Sequence, residues 1–219
     1  INREVFMKKY FFLLLPLFLQ GQEVSDISGT INYYYISRTS DGSIINLPYR
    51  IADIKWQRED DAFSIFSHLA MEYRIPEGNH FLENSSPQDF IWDLRELYLS
   101  WQLKNAEIRI GKQIQSWGSV DGNSPIDNLN AYDYYYLFSS GTEQKIGSFS
   151  MAADYYWKDW KFGFSISPFH HTNRIPINDS QFPISLLASP TASQVIEVKK
   201  PIEYGGYIAK SFNKGDVTL

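Results

Sequence analysis

Three features of the sequence predict an all-β chain, an antiparallel up-and-down sheet of the transmembrane β-barrel kind. Apolar and polar residues alternate along several runs. The connections between those runs are short and long by turns. Aromatic residues number 36 of 219 (Phe 15, Tyr 15, Trp 6), although mean hydropathy is modest. Successive strand side chains face opposite sides, so alternation means one apolar and one polar face. A sheet with lipid on one side and water on the other carries this pattern, with aromatic girdles at both rims. About eight strands and the start of a ninth are expected.

The elements follow in order. Ile1 to Phe6 precede Met7 and are expected to be upstream translated sequence. Residues 7–21 read as a secretory signal peptide: Lys8-Lys9 lead, Phe11 to Leu19 is almost wholly apolar, and Gly21 offers a small residue for cleavage. The apolar run is too short for a spanning helix, and Pro16 interrupts it. Residues 22–219 are then expected to form the N-terminal part of one barrel domain. The chain has no cysteine, so an exported domain must be held by its sheet or by a membrane. Without Arg3, Glu4, Lys8 and Lys9 there remain 17 basic and 24 acidic residues, with no basic patch. Nucleic acid is therefore not an expected partner.

Gly29 to Ser37, rich in tyrosine and isoleucine, is the first expected strand. Tyr49 to Gln57 is the second, with Ala52, Ile54 and Trp56 set against Asp53 and Lys55, and Arg58 to Asp61 form a charged turn. In Phe63 to Arg74, Phe63, Ile65, Leu69, Met71 and Tyr73 share one face, and Ser64, His68, Glu72 and Arg74 the other. Ile75 to Trp92 reads as a loop. Leu97, Leu99, Trp101 and Leu103 alternate with Glu96, Tyr98, Ser100 and Gln102, and Ile108 and Ile110 answer them beyond a tight turn at 104–106. Phe149 to Trp157 and Trp160 to Ile166 flank a turn at Lys158-Asp159, and Glu203 to Phe212 is the eighth strand. Val217 to Leu219 opens a ninth.

Connections near 58–61, 104–106, 158–159 and 213–216 are short, whereas those at 75–92, 116–146 and 168–200 are long. In outer-membrane barrels the periplasmic turns are short and the extracellular loops long. Such barrels have even strand numbers, so further strands are expected beyond Leu219.

In GKQIQSWGSVDGNSPIDNLNAYDYYYLF and the arginine before it, Arg109, Gly111, Lys112, Gln113, Trp117, Gly118, Asp121, Pro125, Asp127, Asn130 and Asp133 form a pattern. It resembles that of a broad group of uncharacterised porin-like outer-membrane proteins. In these, Arg-x-Gly-(Lys/Arg)-Gln leads to Trp-Gly and an Asp-containing loop. Asn130-Ala131-Tyr132 departs from the Asn-Pro expected before the last aspartate. The resemblance spans about thirty residues and implies a large barrel with a role in uptake or export.

On the barrel reading, the lumen-lining candidates are Asp53, Lys55, His68, Glu72, Arg74, Glu96, Arg109 and Gln113. The long loop offers Trp117, Asp121, Asp127, Asp133 and Tyr134 as constriction candidates; an outer loop packed on its own tyrosines is the alternative. Asp121 to Asp127 gathers oxygen ligands without the closing glutamate of a calcium loop, and His170-His171 lacks a spaced acid or thiol. No metal or cofactor is expected. No nucleophile-elbow, zinc-helix or phosphate-loop motif occurs, so no enzyme is expected and no catalytic residue is assigned. The expected function is passage of small hydrophilic solutes across a Gram-negative outer membrane. The expected partners are outer-membrane lipid, the solute and the barrel-assembly machinery, with a homo-oligomer left open. A secreted soluble carbohydrate-binding or structural module is the alternative.

Overall fold

The computed structural model describes residues 24–74, 90–117, 129–137, 139, 141–176, 179–182, 201–213 and 215–218. The signal-peptide reading and Asp121 and Asp127 lie outside the described residues. Nine strands run in chain order: β1 (Val24–Ile31), β2 (Tyr49–Asp60), β3 (Phe63–Tyr73), β4 (Phe90–Leu103), β5 (Ala106–Gln113), β6 (Ser148–Trp157), β7 (Trp160–Ser167), β8 (Glu203–Phe212) and β9 (Gly215–Thr218). They form one sheet in which each strand pairs antiparallel with its sequence neighbour. The fold is all-β, antiparallel and up-and-down.

The sheet is open. β1 and β9 are its two edges and do not pair with each other. With nine alternating strands these edges run in the same direction, so an antiparallel ladder cannot join them. The strand count and order match the expectation of eight strands and the start of a ninth, and the described strands do not close into a barrel.

Turn chemistry puts unlike connections at opposite ends of the sheet. Each short connection is two residues, and the long ones are 17, 16, 34 and 35. At Lys158-Asp159 the two-residue turn needs left-handed backbone, and Lys158 supplies it with φ 53° between the paired Trp157 and Trp160.

Several boundaries differ from the sequence reading. β1 lies earlier than Gly29 to Ser37. Asn32 N–H still bonds Ile51 O at 2.9 Å, but the β1–β2 ladder ends at Ile31↔Ala52. Tyr33 to Tyr35 lie beyond that ladder, outside the strands. Arg58, Glu59 and Asp60 extend β2 against Ile65, Ser64 and Phe63, so the turn is at 61–62 and not 58–61. Phe90 to Trp92 belong to β4, because Tyr73, Glu72 and Met71 extend opposite them.

Burial is inverted relative to a water-soluble sheet. Leu97, Leu99 and Trp101 are 45%, 47% and 44% exposed, whereas Arg95, Ser100 and Gln113 are 2%, 3% and 0% exposed. The alternating pattern places Ile54, Leu99, Ile110, Met151, Phe164 and Ile208 on the exposed face, strand after strand. Aromatic rings gather at its rims. Phe63 stacks on Trp101 at 5.5 Å near the short turns, and near the long connections the exposed Trp92 is followed inward by the fully buried Tyr73, stacked on Phe90 at 4.4 Å.

Candidate functional site

The polar face carries a charged network at the end where the long connections emerge. Its basis is residues 129–137 and 141–147, which lie over the strands and are tied to them first by Asn130. Asn130 Oδ1 accepts from Gln115 N–H at 2.8 Å, and its Nδ2 donates to Ile146 O at 3.0 Å and Gln113 O at 3.2 Å. Local pairing then shapes the segment. Asp133 N–H donates to Gln144 O at 2.8 Å, and Asp133 Oδ1 accepts from Tyr135 N–H at 3.1 Å, capping the 3-10 turn Tyr134–Tyr136.

Two wall arginines reach up to this segment. Arg50 Nη1 donates to Glu143 O at 2.8 Å and Glu143 Oε2 at 2.9 Å, and the Arg50 guanidinium lies 3.8 Å over the Tyr136 ring. Arg95 Nη2 donates to Thr142 O at 2.9 Å. Both arginines adjoin irregularities in pairing. Arg95 is the unpaired residue where His68↔Glu96 gives way to Leu69↔Leu94, which lets Arg95 and Glu96 share the polar face.

Glu72 on β3 is the centre of the network. Arg174 grips it with a two-pronged contact, Nη2 to Oε1 at 2.7 Å and Nη1 to Oε2 at 2.9 Å. Tyr136 Oη donates to Glu72 Oε2 at 2.8 Å. Arg174 Nη1 also reaches Asp133 Oδ2 at 3.2 Å. Burial raises the Asp133 carboxyl above its ordinary value, against the opposing pull of Arg174. Burial and the adjacent Glu72 push the Tyr136 hydroxyl far up, so it stays a donor. Burial would lower Arg174, but its bonds to Glu72 prevail and raise it. Beside them Arg74 pairs with Asp179, which also accepts from Tyr135 Oη at 2.8 Å and from Gln181 N–H at 3.0 Å. Burial would raise Asp179, and the Arg74 and Tyr135 bonds hold it below the usual carboxylate range.

The residues expected from sequence fall into separate groups. His68 Nε2 lies 2.7 Å from Asp53 Oδ1, and His68 Nδ1 lies 3.9 Å from Glu96 Oε2, so three of them meet across β2, β3 and β4. Glu96 Oε1 also accepts from Ile114 N–H at 2.9 Å, tying the wall to the loop. Glu72 and Asp133 meet through Arg174, with Arg74 nearby. Lys55 is exposed beside a cavity at β1 and β2. Arg109 is apart from these, bonded to Asp154 Oδ2 at 3.2 Å. Gln113 is buried and donates to Ser150 O at 3.1 Å. Trp117 lies 5.0 Å from the Tyr207 ring, and Tyr134 N–H donates to Arg174 O at 2.9 Å.

Arg50, Arg95, Tyr136, Glu143 and Arg174 were not among the sequence candidates. A signal existed for two. Arg95-Glu96 places adjacent charges within a strand, and Ile51-Ala52 places adjacent apolar residues there; each breaks the two-residue period and marks a bulge. Nothing local distinguishes Arg174, which meets Glu72 across 102 residues. Among the described residues no cluster of histidines and acids could hold a metal ion. The carboxylates of the network are occupied by guanidinium and hydroxyl donors, so the arrangement narrows and polarises the space over the sheet. No family model, curated protein or solved structure matches this chain.

Proposed function

We propose that the sheet is wall material of an outer-membrane β-barrel that passes small hydrophilic solutes, with its polar face turned to a water-filled lumen. The observation that carries this reading is the inverted burial: a continuous exposed apolar face backed by a buried charged one. In water an apolar surface of this extent favours association, whereas lipid is its natural solvent. Strands of 8 to 14 residues from β2 to β8 suit a membrane crossed at a tilt. Unpaired edges cannot face lipid, so on this reading β1 and β9 both gain strand partners in the membrane. Segment 129–147, held over the polar face, narrows the lumen, and the balanced network of Arg50, Arg174, Glu72 and Asp133 sets its electrostatics.

The test is conductance of the purified full chain in planar lipid bilayers. Discrete ohmic steps are expected. A chain that stays monomeric and dispersed in buffer without detergent, and gives no steps, would overturn the reading in favour of a soluble module.

A further inference from the structure

We propose that Arg38, Arg74 and Arg174, gathered around Asp179, Gln181 and the Tyr135 ring, form a binding site for a small organic anion held by its carboxylate oxygens. The inference rests on the lumen reading above, since it names the charge class of the solute that would be held there.

Three arginines from distant parts of the chain meet at the end of the sheet where the long connections emerge. Arg74 follows β3, and its guanidinium lies 6.0 Å from the Tyr135 ring centre; that of Arg174 lies 4.6 Å from the same ring. Arg74 pairs with Asp179, and two residues on, Gln181 Oε1 accepts from Arg38 Nη2 at 3.3 Å.

The charges here balance in number but not in exposure. The Arg74 and Arg174 side chains are 38% and 37% exposed, whereas their partners Asp179, Glu72 and Asp133 are 9%, 5% and 6% exposed. The carboxylates thus lie beneath, and the guanidiniums face the open side. Arg38 adds a charge with no carboxylate partner among the described residues, since its bonds go to Ser43 Oγ at 3.0 Å and to Gln181. Two exposed acids nearby are engaged elsewhere: Asp41 accepts from Ser43 Oγ at 2.7 Å, and Glu143 pairs with Arg50 at 2.9 Å.

Donors are left over for a ligand. Arg74 uses Nε on Asn46 O and Nη2 on Asp179, and Arg174 uses Nη1 and Nη2 on Glu72 and Asp133. Among the described residues Arg74 Nη1 and Arg174 Nε therefore carry no bond. A guanidinium matches the planar carboxylate group, and a carboxylate is the oxyanion that Arg174 already holds with two prongs at Glu72.

The test is isothermal titration calorimetry of the detergent-solubilised full chain with succinate, whose two carboxylates can reach two arginines at once. Its neutral diamide, succinamide, and inorganic phosphate are the comparisons. Saturable heat with succinate is expected, weakened by added salt, and none with succinamide. Arg38→Gln, at a residue that bonds only neutral side chains, is expected to weaken binding about tenfold. Asp179→Asn removes the carboxylate beneath Arg74 and is expected to tighten it about threefold, a gain that a purely structural role for these arginines would not give. Lys104→Gln, in a short turn at the other end of the sheet, leaves it unchanged. Absent or unsaturable heat with succinate, equal heat with succinamide, or phosphate bound more tightly than succinate would overturn the proposal. So would unchanged affinity in Arg38→Gln, or unchanged or weakened affinity in Asp179→Asn. Conductance of the same preparation separates the two readings. A conducting chain that binds no succinate sinks the anion site alone, and succinate binding without conductance sinks the solute-passage reading alone.

Discussion

Tyr207 has its place because residue 163 has no side chain. A Cβ on Gly163 would fall 1.9 Å from Tyr207 Cε1, so the ring lies across bare backbone. Its hydroxyl then reaches Asp154 Oδ1 at 2.9 Å, beside Arg109 and Lys161 at 3.2 and 3.3 Å. Gly163→Ala is expected to expel the ring at a cost of about 1–3 kcal/mol, read as a lowered denaturant midpoint in detergent. An unchanged midpoint would mean that the ring has an equivalent second position. Glu72→Gln removes the charge that Arg174 grips. Removing one partner of a buried pair costs more, but Arg174 is part-exposed, so about 2 kcal/mol is expected from the same unfolding measurement. Asp179 gives the pH dependence. Its carboxyl is lowered in the folded chain, so its contribution is present above the ordinary aspartate range and lost as pH falls through the lowered value. The stability gap between wild type and Asp179→Asn is therefore expected to be full at neutral pH and to close in acid. A gap that persists in strong acid would show that the carboxylate charge is not what holds Arg74. Asp133 runs the other way: its raised value makes its contribution decline as pH rises past the ordinary range.

At the scale of elements, β4 tells lipid from water. Leu99 lies mid-strand on the apolar face and is 47% exposed. Leu99→Arg in lipid is expected to cost about 2–4 kcal/mol, measured by reversible unfolding into and out of vesicles. The same change on a sheet exposed to water would cost almost nothing, so a neutral result would remove the lipid-facing assignment. Segment 129–147 depends on Asn130, which holds backbone on both of its flanks. Asn130→Ala is expected to speed hydrogen exchange across 114–117 and 129–147 while the β2 to β4 ladder keeps its protection. Unchanged exchange would assign the anchoring to Arg50 and Arg95 instead.

The molecule as a whole presents two kinds of surface, and its tryptophans sample both. Trp101 lies on the apolar face near a short turn, and Trp117 packs against Tyr207 on the polar side. In vesicles of brominated lipid, a variant keeping only Trp101 is expected to be strongly quenched and one keeping only Trp117 weakly. Equal quenching would argue against a sheet with one face in lipid. The two edges of the nine-strand sheet run in the same direction, so they cannot pair antiparallel with each other; on the barrel reading proposed above, both edges gain pairing in the membrane.

The sequence by itself determined what is periodic or local. Alternation set which side of each strand is apolar, and compact turns such as Lys158-Asp159 fixed their hairpins, because these depend on neighbours a few residues away. Even there pairing intervened: Tyr33 to Tyr35 favour a strand, yet lie beyond the β1–β2 ladder, which ends at Ile31↔Ala52. Only the tertiary structure decided which charges meet. Arg95 turns inward through a bulge, Asn130 folds the long segment onto the wall, and Arg174 finds Glu72 across 102 residues. Long-range ion pairs and sheet edges have no local period, so they are set only when distant strands and loops are brought together.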